Sequence, residues 1–211
     1  MIIIPLVVGD LATNCYVVGD PDTKKGIVID PGGHAQRILD TVKRQGLEIV
    51  TIVDTHGHFD HVLANEVVKE ATGAPIAIHP ADAPMLTDPR KGFGVFAMFF
   101  GGLRGGPPAD VLLNDGDEVR FGNQVLKVVH TPGHSQGSIS LVGEGVVFSG
   151  DALFQGSIGR TDFPGGDYDQ LIASIRTRIL TLPDDTVVYS GHGPATTVGD
   201  EKRYNPFLRQ T

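Results

Sequence analysis

The six positions His56-Gly57-His58-Phe59-Asp60-His61 hold three histidines and a carboxylate directly after the apolar run Ile49 to Val53. That run is rich in Val and Ile and bounded by polar residues, which predicts a buried strand whose C-terminal end delivers the cluster into a loop. Clusters at strand ends are where sites sit. In an extended segment alternate side chains share a face, so His56 and His58 can converge on one ion, while Asp60 and His61, past the bend at Gly57, approach a second. These four donors are too few for two ions, because a catalytic zinc keeps about three protein ligands and an open position. Further donors must come from distant parts of the chain. Candidates stand in glycine-flanked settings: His134 in Thr-Pro-Gly-His-Ser, Asp151 in Ser-Gly-Asp and His192 in Ser-Gly-His-Gly-Pro. Each follows a β-like run, at Val125 to Val129, Val146 to Phe148 and Val187 to Tyr189 respectively.

The run HGHFDH, followed in order by His134, Asp151 and His192, resembles the metallo-β-lactamase superfamily over nearly the whole chain. Asp151 is similar to the bridging carboxylate of the glyoxalase II branch, where lactamases of the commonest class carry a cysteine. The stretch Gly156-Ser157-Ile158-Gly159-Arg160-Thr161-Asp162-Phe163 also resembles that branch and its relatives, the persulfide dioxygenases. The resemblance implies an αββα sandwich of the α/β class, with two mixed β-sheets packed face to face, helices outside and a metal cleft at one sheet edge. It implies that His56, His58 and His134 hold a first metal ion, that Asp60, His61 and His192 hold a second, and that Asp151 bridges them. Asp60 and Asp151 are then the catalytic carboxylates. Two divalent ions are expected, zinc first, with iron or manganese as alternatives. The implied activity is hydrolysis of a thioester such as hydroxyacylglutathione by a metal-bridging hydroxide. A second activity stays open, because persulfide dioxygenases use one iron on two histidines and an aspartate, here His56, His134 and Asp151.

The 211 residues suit one large domain, with no composition break or linker, so residues 1–211 are read as a single unit. The chain ends soon after His192, and a helical C-terminal domain like that of full-length glyoxalase II is not expected. With 17 basic and 25 acidic residues the net charge is −8, which argues against nucleic acid as a partner and leaves a small molecule, a thiol conjugate, as the expected one. One cysteine, Cys15, excludes an internal disulfide and fits a reducing, cytoplasmic compartment. Cys15 itself reads as a packed strand residue. Met1 to Val8 lacks a basic n-region and a cleavage-like site and is too short to span a bilayer, so no membrane partner is expected.

Strands are predicted at Met1 to Val8, Thr13 to Val18, Gly26 to Ile29 and Pro75 to Ile78, with a turn at Asp20-Pro21-Asp22. Helices are predicted over Ala35 to Gly46, Leu63 to Thr72 and Asp169 to Leu182. Two hairpins follow from Glu118 to Val129 and from Ser138 to Phe148. Asp30 reads either as a turn residue or as a carboxylate orienting a ligand histidine. His34 reads as a surface or cap residue, and His79, followed by Pro80, as a strand end without metal. Lys91 to Pro108 is glycine-rich and carries Phe93, Phe96, Met98, Phe99 and Phe100; it reads as a cap on the core or an apolar flap over the cleft. Arg160 is the candidate to orient an anionic substrate, or else ties its loop to Asp162 or Asp167. Arg104, Lys91 and Arg203 are weaker candidates. Tyr189 and Tyr204 could line the pocket or pack in the protein.

Overall fold

The computed structural model describes residues 1–93 and 105–209. In chain order its first half contains β1 (Ile2–Val8), β2 (Thr13–Gly19), β3 (Lys25–Ile29), α1 (Ala35–Gln45), β4 (Glu48–Val53), α2 (Phe59–Val62), α3 (Asn65–Thr72), β5 (Ile76–Ile78), α4 (Ala83–Thr87), α5 (Arg90–Phe93) and β6 (Val111–Leu112). The second half contains β7 (Glu118–Phe121), β8 (Gln124–His130), β9 (Ile139–Gly143), β10 (Val146–Gly150), β11 (Leu153–Phe154), β12 (Ser157–Ile158), α6 (Tyr168–Ser174), β13 (Val187–Ser190), β14 (Thr196–Thr197) and α7 (Val198–Tyr204).

Two mixed sheets result. The first runs β1-β2-β3-β4-β5-β6 and the second β14-β13-β10-β9-β8-β7. Strands β3 to β6 are parallel neighbours, as are β10 and β13, while hairpins supply the antiparallel pairs. Alternation along each strand decides which layer a side chain enters. Tyr16, Val18, Ile27, Ile29, Val53 and Ala77 point inward to meet Val128, Ile139, Leu141 and Phe148 between the sheets. Their sequence neighbours Cys15, Val17, Val28, Ile52, Ile76 and Ile78 point the other way, onto Ile38 and Val42 of α1 and Val68 of α3. On the far face of the second sheet Val147 and Val188 pack against Leu171, Ile175 and Ile179. Three apolar layers thus build the helix-sheet-sheet-helix sandwich that the resemblance implies, and Cys15 is a packed strand residue. Full burial of a side chain such as Phe148 contributes about 1.5–3 kcal/mol.

The predicted strands, hairpins and α1 are present within a residue or two at each end, with Gly46 at φ 65° closing α1 and the Asp20 turn joining β2 to β3. The predicted helix over Leu63 to Thr72 is present as α3, which begins at Asn65 rather than Leu63, and Leu63 and Val67 are 50% and 48% exposed. The amide of Ala64 is held by the carbonyl of Pro31 at 2.8 Å, so the helix restarts there and only Val68 of that stripe reaches the core. The helix predicted over Asp169 to Leu182 begins at α6, where Asp167 accepts from the amide of Gln170. It then widens into a π-helical turn, Ile175–Ile179. In a wider turn residues four apart stay on one face, which keeps Leu171, Ile175 and Ile179 buried together. Phe96, Met98, Phe99, Phe100 and Arg104 of the aromatic segment lie outside the described residues, as does the side chain of Phe93. Among the described residues no helix is long and apolar enough to cross a membrane.

Candidate metal centre

The seven candidate ligands leave strand ends of both sheets at one edge of the sandwich. His56 and His58 follow β4, Asp60 and His61 lie in the single turn of α2, His134 follows β8, Asp151 follows β10 and His192 follows β13. Close backbone approach makes this convergence possible. A Cβ on Gly191 would lie 2.1 Å from Asp151 Oδ1, and one on Gly32 would lie 1.7 Å from the carbonyl oxygen of Asp60. Only glycine fits at these positions.

Donor atoms of His56, His58 and His134 lie within 4.8 Å of one another, and so do those of Asp60, His61 and His192. In the first set His58 Nδ1 is 2.9 Å from His134 Nε2. In the second His192 Nε2 is 3.3 Å from Asp60 Oδ2 and 3.4 Å from His61 Nε2. Asp151 faces both sets. Its Oδ1 is 3.4 Å from His61 Nε2, and its Oδ2 is 3.6 Å from both His134 Nε2 and His192 Nε2.

Outer partners fix which nitrogen each ring offers. His61 Nδ1 meets Asp30 Oδ2 at 3.0 Å, and His134 Nδ1 meets the carbonyl of Arg160 at 2.7 Å. With Nδ1 committed as donor, Nε2 carries the lone pair. Asp30 is therefore the orienting carboxylate, and it stands at φ 51° while also accepting from the amide and hydroxyl of Thr55. Thr13 donates to Asp60 Oδ2 at 3.1 Å. The His192 turn is held from β2, where Asn14 donates to the carbonyls of Ser190 and Gly193 and Tyr16 donates to that of Ser190.

Electrostatics fit a cation in this pocket. Burial, followed by the neighbouring His134, pushes His58 down to about 3. Burial and then His61 push His56 well below the ordinary imidazole range, so both rings are neutral donors. Burial alone would lower His61, but Asp151, Asp60 and Asp30 outweigh it and raise that imidazole well above its ordinary range. Burial likewise opposes ionisation of Asp151, and His61, His134 and His192 overcome it. A proton on His61 thus neutralises carboxylates that a metal ion would neutralise directly. His56 Nε2 is buried without a hydrogen-bond partner among the described residues. Donor atoms of His56, His61 and Asp151 lie within 4.8 Å of one another, and an orphan ring nitrogen in such a set is what a bound cation would satisfy.

Arg160 is committed elsewhere: its guanidinium forms a bidentate pair with Asp162 at 2.7 and 2.6 Å and lies 3.8 Å over the Phe163 ring. These bonds make the loop tie of the two sequence alternatives, and the group Arg160 turns to the centre is its backbone carbonyl. Tyr189 is a correction. Its place on β13 directs it between the sheets, where it packs with Tyr16 and Phe148, so it does not line the cleft. Tyr204 is 65% exposed on α7, Arg203 stands 3.8 Å from Asp184, and Lys91 is exposed on α5. His79 stacks on His130 with ring centroids 4.2 Å apart, apart from the ligand cluster. His34 accepts from the amide of Gly9. Thr13, Asn14 and Tyr16 were not expected at the centre, because nothing local distinguishes them from ordinary strand residues. Aromatic walls were not expected either: Phe163 meets His58 edge-on at 5.6 Å and Phe154 meets His192 at 6.1 Å.

A family model described as the metallo-beta-lactamase superfamily matches residues 8–192, a span that contains all seven ligand candidates. The chain is 39% identical over 207 residues to the hydroxyacylglutathione hydrolase GloC of Haemophilus influenzae, covering 92% of each. Among solved structures it is similar to the B3 metallo-beta-lactamase BLEG-1, with a TM-score of 0.93, 41% identity and 99% and 100% of the two chains covered. It is also similar to TTHA1623 in a di-iron-bound form, with a TM-score of 0.85, 39% identity and 97% and 100% covered.

Proposed function

The chain belongs to the metallo-beta-lactamase superfamily, and from that premise we propose that it is a binuclear hydrolase of small-thiol thioesters, of which hydroxyacylglutathione is the model substrate. The observation that carries this reading is the double-facing carboxylate of Asp151, with Oδ1 toward His61 and Oδ2 toward His134 and His192. His56, His58 and His134 would hold one ion, Asp60, His61 and His192 the other, and Asp151 both. A three-ligand iron site would have no use for Asp60, His61 and His192, so their convergence favours hydrolysis over oxygen chemistry. The likeness to GloC supports a glutathione thioester as substrate.

When bound, divalent cations supply Lewis acidity and lower the pKa of water from 15.7 to about 7. Every other part belongs to the chain. Asp60 and Asp151 bring the negative charge that retains two cations, while Asp30 and the Arg160 carbonyl hold His61 and His134 with Nε2 inward. Phe154 and Phe163 wall the ligand cluster with apolar surface, which strengthens electrostatic interactions inside it. A thiolate leaving group, whose acid has a pKa of about 8.5, departs without a general acid. The cluster accordingly needs no further acid beyond its ligands.

The deciding experiment supplies metal-loaded protein with a hydroxyacylglutathione thioester, with a chromogenic β-lactam and with glutathione persulfide in parallel. Thiol release from the thioester, with little ring opening and no oxygen uptake, is the expected result. Oxygen uptake without thiol release would replace the hydrolase with an iron dioxygenase. Ring opening alone would move the substrate to the β-lactams.

A further inference from the structure

We propose that Asp82 is a positioning residue that locks the two ligand loops of the first metal site into register. This rests on the reading of His56, His58 and His134 as one metal site. Asp82 occupies the N-cap position of α4, where an aspartate ordinarily accepts from the amides of its own helix. Its side chain makes no such bond. The carboxylate is fully buried and turns away from α4 toward the ligand loops.

Each carboxylate oxygen is engaged there. Oδ2 accepts from the amide of Gly57 at 3.0 Å and from the hydroxyl of Ser135 at 2.6 Å. Oδ1 accepts from the amide of Gly137 at 2.7 Å. Gly57 separates His56 from His58, and Ser135 follows His134 directly. One carboxylate therefore spans two loops that arise from different sheets and supply all three histidines of the set. Both loops approach it closely, for a Cβ on Gly57 would lie 2.9 Å from the Asp82 carbonyl oxygen and one on Gly137 would lie 2.6 Å from its Cγ. Ser138 completes the unit, its Oγ 2.7 Å from Ser135 Oγ and 3.2 Å from the Ser135 amide.

The arrangement is asymmetric. The hydrogen bonds recorded for the Asp82 side chain all go to the Gly57 and Ser135–Gly137 loops, whereas Asp60 and His61 are held by Thr13 and Asp30 and the His192 turn by Asn14 and Tyr16. Loss of the Asp82 carboxylate should consequently loosen the first site and spare the second. Replacing a carboxylate that braces metal ligands lowers metal affinity by about 10–100-fold. In Asp82→Asn the amide NH2 would face a donor, so the size is kept while at least one of the three bonds is lost.

The test measures zinc affinity by chelator competition in two backgrounds. His192→Ala weakens the second set and leaves the first complete; His134→Ala does the reverse. Asp82→Asn is expected to lower affinity about 10–100-fold in the His192→Ala background and to leave it unchanged in the His134→Ala background. Ser135→Ala, which deletes one bond, should follow with a smaller loss of the same pattern and decides the matter if Asp82→Asn does not fold. Equal losses in both backgrounds, paralleling the melting temperature, would make Asp82 a general structural residue and overturn the inference. So would unchanged affinity in both. If the parent protein binds no zinc, the metal reading itself has failed, a result separable from either.

Discussion

His61 turns its Nδ1 to Asp30 across 3.0 Å, which leaves Nε2 facing Asp60 and Asp151 at 3.5 and 3.4 Å. Both partners are buried, so the ring has one orientation open to it. Asp30→Ala should cost the second site about 10–100-fold in metal affinity. Chelator competition checks this, and wild-type affinity in the variant would exclude an orienting role.

Asp151 offers an oxygen to each set, whereas His192 belongs to one. Asp151→Ala should therefore reduce occupancy at both positions, while His192→Ala should leave about one ion per chain by elemental analysis. Chelation of the wild-type protein should lower its melting temperature, because an ion that binds only the folded state stabilises it by mass action. A melting temperature indifferent to chelator would count against a metal in this cluster.

The Arg160–Asp162 pair is half exposed, with side chains 55% and 67% accessible, and exposed pairs contribute only about 0–1 kcal/mol. Arg160→Ala and Asp162→Ala should have matching, small effects on melting temperature and on kcat/KM for charged and neutral thioesters alike. A selective rise in KM for anionic substrates in Arg160→Ala alone would show that the guanidinium leaves Asp162 to hold substrate.

His79 lies flat on His130 at 4.2 Å, and its Nδ1 accepts from the amide of Ala81. Burial, and after it the His130 ring, holds the His79 imidazole below its ordinary range, against the opposing pull of Asp82 and Asp115; Arg178 faces this group through Asp115. The unfolded chain then takes up a proton more readily than the folded one, so stability from this pair is complete above about pH 6.5 and drains as pH falls from there through the folded value. His79→Asn keeps an acceptor for Ala81 without a titrating ring. The fall in melting temperature between about pH 7.5 and 5.5 should be smaller in the variant; an equal fall would remove His79 from the acid response.

Much of this was legible because it is periodic or locally clustered. Val-rich runs announced β2, β3, β4, β8 and β13, and the His56 to His61 cluster announced its place at a strand end. The ligand histidines downstream could be recognised by their glycine-flanked settings. What escaped was set by contacts distant in sequence. Asp82 looks like an ordinary helix cap, since nothing near it shows that Gly57 and Ser135 will arrive. Leu63 and Val67 suggested an apolar face because a four-residue spacing looks the same whether it points to core or to solvent. Strands of two residues such as β11, β12 and β14 carry no period at all, and a π-helical turn hides inside a helical pattern.

The bond from Asn14 to the carbonyl of Gly193 joins residues 179 positions apart, and an isolated bridge pairs Thr13 with His192 beside it. Contacts of such sequence separation form only after the intervening chain has closed, at an entropic cost and a cost in folding speed. The His56 to His61 segment can be present, with its donors exposed, on a ribosome-bound chain that does not yet contain His192. Metal encountered at that stage meets a half-built site, with the ends of β8, β10 and β13 still to bring His134, Asp151 and His192. Protein refolded in the presence of metal is therefore expected to differ in occupancy from protein loaded after folding, a difference that elemental analysis of the two preparations reads directly.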